Sequence, residues 1–150
     1  MKDTKSKRII LAADSRVYQE PISWQLNEYG HNVVMAGNYE EVKRALEKTP
    51  EIIIAEAMLP TQGIEHQYLR KSSASTGHLA GVALFYQLRA EGVNCPYFLL
   101  SSGPINSLEG NKRVLDKAIE DGVSEVINMP ITPTELLSKL EERLGYKLQN

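Results

Sequence analysis

Two patterns of hydrophobic and polar positions alternate along the chain. Short continuous apolar runs rich in Ile, Val and Leu are separated by longer segments in which apolar residues recur at i, i+4 and i+7, as Ile22, Leu26 and Tyr29 do. The continuous runs are typical of strands buried on both faces of a parallel sheet, and the longer spacing is typical of amphipathic helices. The pattern predicts five strands, at residues 8–13, 32–36, 51–57, 97–101 and 125–129.

Several predicted helices carry signals at their ends. Asn38 is suited to cap a helix N-terminus, and Gly30 and Gly122 are suited to end helices. The clearest signal is Thr-Pro-Thr-Glu at 132–135, which predicts a capping box with proline in the first helical position. Pro21 lacks the N–H donor that an inner helical turn needs, so we expect the first helix to begin late or to kink there.

Five alternating strand and helix units predict an α/β fold. The expected architecture is a three-layer α/β/α sandwich around a five-stranded parallel sheet, in a single domain over residues 1–150. An open sheet of this kind places its functional site at the carboxyl ends of the strands. Those ends fall near Asp14, Ala36, Glu56, Ser101 and Met129.

The third and fourth strands end at Glu56 and Ser101, about twice as far apart as neighbouring strand ends elsewhere. The surplus lies in residues 61–78, which are rich in Ser, Thr, Gly and Gln and lack sustained periodicity. We expect a long loop inserted after the third strand. Two interpretations stay open. One is a flexible spacer, and the other is a docking loop that presents four side chains to a partner: Tyr68, Leu69, Arg70 and Lys71.

Composition excludes several classes of protein. The 150 residues include 17 Lys and Arg against 19 Asp and Glu, a net charge of -2, with 42% hydrophobic residues, which is typical of a globular domain. Cys95 is the single cysteine and has no partner for a disulfide within the chain. No apolar run approaches the roughly 18 residues of a membrane span. We expect a cytoplasmic protein that binds neither nucleic acid nor membranes, with residues 1–7 as a basic flexible tail.

Common catalytic motifs are missing from the sequence. The turn after the first strand, residues 13–17, contains no glycine and so no phosphate-binding loop, and there is no GxSxG elbow. His66 and His78 lack the spacing and the neighbouring cysteines of a zinc site. We therefore expect no enzymatic activity and no cofactor.

Four strand-end stretches, at residues 9–15, 51–60, 96–102 and 122–130, resemble the signature segments of response-regulator receiver domains, the CheY-like superfamily. The most specific parts are Met-Leu-Pro at 58–60 and Gly-(x)6-Met-Pro at 122–130, which resembles the family's Gly-to-Lys-Pro stretch. The resemblance implies the flavodoxin-like strand order 2-1-3-4-5 and a role in bacterial two-component signal transduction.

Working receivers combine an acidic pair, an acceptor aspartate, a Thr or Ser and a lysine, because carboxylates hold Mg2+ while the metal and the lysine neutralise the phosphoryl oxygens. In this chain one acid of the pair is replaced by alanine, the acceptor is a glutamate and the lysine is a methionine. Val126 stands where the family's switch aromatic commonly lies, whereas Asp14 and Ser101 keep their types. The resemblance thus implies a degenerate phosphoacceptor pocket: Ala13, Asp14, Glu56, Ser101, Met129 and Pro130.

The glutamate in this pocket has two interpretations. Glu56 either mimics the phosphorylated state, held by a hydrogen bond from Ser101, or is a tolerated polar residue in a pocket that has lost its function. Asp14, Glu56 and the backbone carbonyl of Met58 are the weak candidates for a Mg2+ site, and with one acid missing we expect no metal.

The resemblance implies an atypical receiver, or pseudo-receiver, that acts as a phosphorylation-independent interaction module for another signalling protein. Its surface is expected to be the insert or the helix–strand–helix face formed by residues 107–121, 125–129 and 135–144. Receiver-like domains often pair through that face, so the resemblance leaves the oligomeric state open between a monomer and a homodimer. The alternative is a residual switch that still responds to a phosphodonor or Mg2+ through Asp14, Glu56 and Ser101. A flavodoxin-like cofactor-binding protein is a third interpretation.

Overall fold

A computed structural model describes residues 6–14 and 16–149 of the chain. The strands are β1 (Arg8–Ala12), β2 (Asn32–Ala36), β3 (Ile52–Glu56), β4 (Ser73–Ala74), β5 (Gly77–His78), β6 (Tyr97–Ser102) and β7 (Glu125–Met129). The helices are α1 (Arg16–Glu28), α2 (Tyr39–Ala45), α3 (His66–Lys71), α4 (Ala80–Ala90), α5 (Gly103–Ser107), α6 (Glu109–Glu120) and α7 (Pro133–Leu144). None of the described helices is long and apolar enough to span a membrane.

Five of the strands form one parallel sheet in the order β2-β1-β3-β6-β7, and β4 and β5 pair as a small antiparallel hairpin. Counted within the main sheet alone, the order is 2-1-3-4-5. The predicted α/β fold with a five-stranded parallel sheet is therefore confirmed.

Each face of the sheet packs against its own layer of helices. In the central strand β3, Ile52 and Ile54 belong to the core cluster that includes residues of α1 and α7. Ile53 and Ala55 belong to the cluster on the other side, with residues of α2, α4 and α6. Successive side chains of a strand point to opposite faces, so a strand between two helix layers must be apolar at every position. This explains the unbroken apolar runs.

The helix ends follow the sequence signals closely. The Asn38 side chain accepts the N–H of Glu41 at the start of α2, and Thr132 and Glu135 form the reciprocal capping box of α7. Gly30 and Gly122 follow α1 and α6 with φ of +89° and +124°, a region that glycine enters without steric cost.

The first helix begins earlier than predicted. α1 starts at Arg16 and includes Pro21, so the expected late start is wrong. Proline removes one backbone hydrogen bond from a helix. Pro21 lies on the exposed side of the helix, while Ile22 and Leu26 are buried and hold the helix on the sheet.

The insert predicted after the third strand is present, but it contains regular elements where the sequence predicts only a loop. Residues 61–78 contain α3 and the β4–β5 hairpin, with Ile64 and Ser72 buried. The backbone N–H of Glu65 donates to Oε1 of the buried Gln87 at 2.8 Å, which fixes the start of α3 against α4. A six-residue helix is too short to show a helical period in the sequence, and such a helix depends on tertiary contacts.

A buried histidine joins the two ends of the described chain. The backbone N–H of Lys7 donates to Nδ1 of His31 at 3.0 Å, and Nε2 lies 2.6 Å from the carbonyl oxygen of Leu148. The neutral imidazole with its proton on Nε2 satisfies both bonds. Leu148 itself is fully buried in the cluster that lies under α1 and α7.

Glu141 makes the anchoring of the C-terminal segment dependent on pH. Burial alone raises the pKa of the Glu141 carboxyl, but the backbone N–H groups of Gln149 and Leu148 stabilise the carboxylate, so the net pKa lies below its ordinary value. A carboxyl whose pKa is lowered by folding contributes stability that is complete above its unfolded pKa, about 4.3. That contribution is lost as pH falls through the folded-state pKa.

We expect Glu141→Gln to lower the free energy of unfolding by about 1 kcal/mol at pH 7 and by less at pH 3. Urea unfolding at both pH values measures the difference. Glu142→Gln, at an exposed neighbouring position, is the control and should match the wild type at both. An equal loss at pH 7 and pH 3 for Glu141→Gln would contradict the role of its charge.

Candidate functional site

A cleft of about 420 Å3 opens at the carboxyl ends of the strands of the main sheet. It gathers five of the six predicted pocket residues together with Met58, the predicted backbone ligand, while Ala13 is buried just after β1 and outside the lining. The lining residues are Asp14, Glu56, Met58, Leu100, Ser101, Ser102, Pro104, Ile105, Met129 and Pro130.

The parallel register explains why these residues meet. Glu56 of β3 is level with Leu100 of β6, and Ser102 is level with Met129 of β7. Residues far apart in the sequence are therefore brought to one edge of the sheet by strand pairing alone.

Glu56 reaches across to the loop that leads into α1. Its Oε1 accepts the backbone N–H of Asp14 at 2.8 Å, which ties the end of β3 to the segment before the helix. A carboxylate close to a helix N-terminus is also favoured by the helix dipole. Glu56 thus has a definite structural role in closing the loop.

The Ser101 hydroxyl is buried and has no hydrogen-bond partner among the described residues. The hypothesis that Glu56 is held by a hydrogen bond from Ser101 is therefore wrong. The geometry explains why, since Glu56 makes its hydrogen bond to the Asp14 amide on the β1 side of the cleft.

The lining residues that the structure describes include two carboxylates, Asp14 and Glu56, and no basic side chain. Met129 occupies the place before Pro130 where the resemblance requires a lysine. Mg2+ prefers six well-placed oxygen ligands. In the described parts of the chain, no three His, Cys, Asp or Glu residues lie together in a way that would hold a metal ion. This donor set does not fit Mg2+.

Sequence reasoning missed a glycine that supports the site. The N–H of Gly81 donates to the carbonyl of Ala57 at 2.9 Å, and its own carbonyl accepts the hydroxyl proton of the buried Tyr97 at 2.6 Å. A Cβ at position 81 would lie 2.8 Å from the carbonyl carbon of Glu56 and closer still to its oxygen. The available signal was a glycine within the apolar stretch 79–85, where alanine is the better helix former.

Val126 lies away from the cleft, in a groove of about 200 Å3 between α6 and β7. This groove belongs to the predicted helix–strand–helix face, which in the structure is formed by α6, β7 and α7. Across it, the Asn106 side-chain amide donates to the side-chain oxygen of Asn128. The groove is lined by Asn106, Lys112, Leu115, Asp116, Ile119, Val126 and Asn128.

The four candidate partner contacts in the insert divide into two kinds. Tyr68 and Leu69 are half-buried and pack against the core, so they do not extend into solvent as free docking side chains. Arg70 and Lys71 are exposed, and the Lys71 ammonium lies 4.2 Å from the centroid of the Tyr86 ring. Of the four side chains, Arg70 and Lys71 are the exposed ones, because α3 turns its apolar side inward. Docking by the insert stays a prediction.

Known proteins match this chain in three-dimensional structure. No protein-family model and no curated protein sequence matches the chain. The receiver domain of a Francisella response regulator matches with 16% identity and a TM-score of 0.66, covering 93% of this chain and 98% of that one. A response regulator from Thermotoga maritima matches with 16% identity and a TM-score of 0.67, covering 94% and 99%.

A third solved structure is the receiver domain of a sensor histidine kinase from Pseudomonas aeruginosa, with a magnesium ion coordinated in its active-site cleft. It matches with 20% identity and a TM-score of 0.65, covering 94% of this chain and 99% of that one. Such low identities, over almost the whole length of each chain, establish the fold alone. The chain therefore has the fold of a response-regulator receiver domain of the CheY-like type.

Proposed function

We propose that this chain is a receiver-like interaction module in signal transduction that works without phosphorylation. The proposal rests on which residue occupies the phosphoacceptor position and on what its side chain binds. Glu56 stands there, its carboxylate bound to the Asp14 amide, in a cleft where Met129 takes the place of the lysine.

Phosphorylation of Glu56 would face two physical obstacles. The phosphoryl group would sit about one methylene, ~1.5 Å, further into the cleft than on an aspartate, and Glu56 would give up its bond to the Asp14 amide. The added negative charge would also lie near Asp14, and Met129 stands where the resemblance places the lysine that would pair with it. Charge-assisted contacts are what normally stabilise a phosphoryl group in a protein.

The partner in this proposal is another signalling protein, and its docking surface is the face formed by α6, β7 and α7. Two large apolar side chains on or beside α6 are exposed, Leu108 at 42% and Ile119 at 44%, and Ile119 lines the groove next to Val126. Exposed apolar side chains around a shallow groove are typical of protein-binding surfaces. A second copy of the chain is the alternative occupant of the same face.

One observation favours a second candidate function, a residual switch. The Ser101 hydroxyl is buried at the cleft without a hydrogen-bond partner among the described residues, as a group awaiting a ligand would be. Together with Asp14 and Glu56 it would form the responding site for a phosphodonor.

Treatment with a phosphodonor separates the two candidates. The protein is incubated with Mg2+ and acetyl phosphate, or with beryllofluoride, and followed by intact mass and amide NMR. We expect no adduct and no saturable shifts at Asp14, Glu56 or Ser101. Saturable shifts at these residues would overturn phosphorylation independence and establish the residual switch.

The triple variant Ala13→Asp, Glu56→Asp and Met129→Lys is the matched control for this experiment. It restores the second acid, the acceptor and the cation that the resemblance associates with working receivers, while Asp14 and Ser101 are unchanged. We expect beryllofluoride to shift cleft resonances in the variant and not in the wild type, which shows that the probe reports on this cleft.

A further inference from the structure

The β4–β5 hairpin of the insert contacts the first turn of α6 through hydrogen bonds. The Ser75 hydroxyl oxygen accepts the backbone N–H of Gly110 at 3.0 Å. The Thr76 N–H donates to Oδ1 of Asn111 at 3.3 Å, and the Asn111 amide donates back to the Thr76 hydroxyl at 3.2 Å. Four residues on two elements are thus joined side by side.

The Ser75 contact replaces a missing helix cap. Leu108 is the N-cap residue of α6 and has no side chain able to accept a hydrogen bond. A capping side chain normally accepts the N–H of the second or third helical residue, and Gly110 is the second. Ser75 supplies that acceptor from a segment 35 positions away in the sequence.

Close packing accompanies these hydrogen bonds. A Cβ on Gly110 would lie 3.0 Å from the backbone nitrogen of Ser75 and closer still to its hydroxyl oxygen. Asn111 is fully buried, and a buried amide is costly unless its hydrogen bonds are satisfied. Its described partners are Thr76 and the carbonyl of Ile105, which accepts the Asn111 amide at 2.9 Å.

Asn111 thereby connects the hairpin to both surfaces of the proposed functional region. Ile105, its partner on α5, lines the cleft. The next residue, Asn106, lines the groove between α6 and β7 and donates to Asn128 across it. A shift of α5 and α6 over the sheet would have to break the contacts to the hairpin.

We propose that the β4–β5 hairpin is a brace that holds α5 and α6 in one position and keeps the α6–β7 groove formed without a phosphoryl signal. The brace itself is a property of the fold. Its consequence for partner docking rests on the proposed function. On this proposal, the function of the insert is to restrain the positions of α5 and α6.

Hydrogen exchange on the isolated protein tests the brace. Ser75→Ala combined with Thr76→Val removes the two hydroxyls at little change in volume. We expect the amides of residues 103–113 to exchange at least tenfold faster than in the wild type, with those of α7 unchanged. Ser73→Ala, at an exposed position of the same hairpin, is the control and should exchange as the wild type does. Equal rates in the double variant would overturn the proposal.

Gly110→Ala distinguishes bracing from a local effect on the helix. Alanine is a better helix former than glycine, so a purely local effect would slow exchange in α6. Displacement of the hairpin by the new Cβ predicts the opposite, faster exchange over residues 103–113. Slower exchange would contradict the brace.

Methyl NMR of Val126 and Ile119 tests the link to the groove. We expect both resonances to shift in the Ser75/Thr76 double variant and not in the control. Unchanged methyl resonances beside faster exchange would disprove the link to the groove. Neither measurement uses a phosphodonor or a partner, so a failure of the proposed function would leave this result standing.

Discussion

Gly81→Ala is expected to destabilise the protein by about 3 kcal/mol, near the upper end for overpacking. The new Cβ would meet the backbone of Glu56 and Ala57, and backbone cannot move aside as a flexible side chain does. Because Tyr97 and Ala57 both bond to Gly81, relief of the clash would shift α4 away from the end of β3. We expect amide shifts at Asp14 and Glu56 as well as lower stability.

Urea unfolding measures the change, with Gly103→Ala as the matched control. A Cβ at Gly103 meets no atom within 4 Å, so alanine there should be neutral or slightly stabilising. If Gly81→Ala were as stable as Gly103→Ala, the close approach of α4 to the site would be disproved.

Leu148→Ala is expected to cost about 3 kcal/mol, as other truncations of buried leucines do. The side chain is fully buried between α1, α7 and the sheet, while its backbone bonds to Glu141 and His31. Loss of the apolar contact leaves the short segment after α7 with its hydrogen bonds and the contact between the Lys7 ammonium and the Tyr146 ring. Unfolding and refolding of this segment should then become visible as faster exchange of the Lys7 and Leu148 amides.

Thermal or urea unfolding checks this expectation against Lys147→Ala. Lys147 is exposed in the same segment, so its truncation should change the free energy of unfolding by less than about 0.5 kcal/mol. A Leu148→Ala variant as stable as the Lys147→Ala variant would mean that the segment contributes nothing to the fold.

The sequence predicts those parts of this fold that depend on local or periodic information. Strands buried on both faces leave continuous apolar runs, as in β3, and a capping box such as Thr132 with Glu135 lies within four consecutive residues. Strand ends in an open parallel sheet converge by topology, which is why Asp14, Glu56 and Ser101 could be assigned to one cleft.

The sequence does not predict hydrogen bonds between residues that are distant along the chain. His31 needs Lys7 and Leu148, and Asn111 needs Thr76, so none of these bonds leaves a local pattern. The direction of the Glu56 side chain depends on its rotamer, and the spacing of residues along the sequence does not predict rotamers. α3 escapes detection because six residues are stabilised mainly by what they pack against.

The hydrogen bonds of His31 to Lys7 and Leu148 also determine which way the cleft faces when the protein is tethered to a surface. Lys7 and Leu148 bond to opposite nitrogens of one imidazole ring, at the amino ends of the strands, whereas the cleft lies at the carboxyl ends. A tether placed at either residue therefore points the cleft away from the surface that carries it.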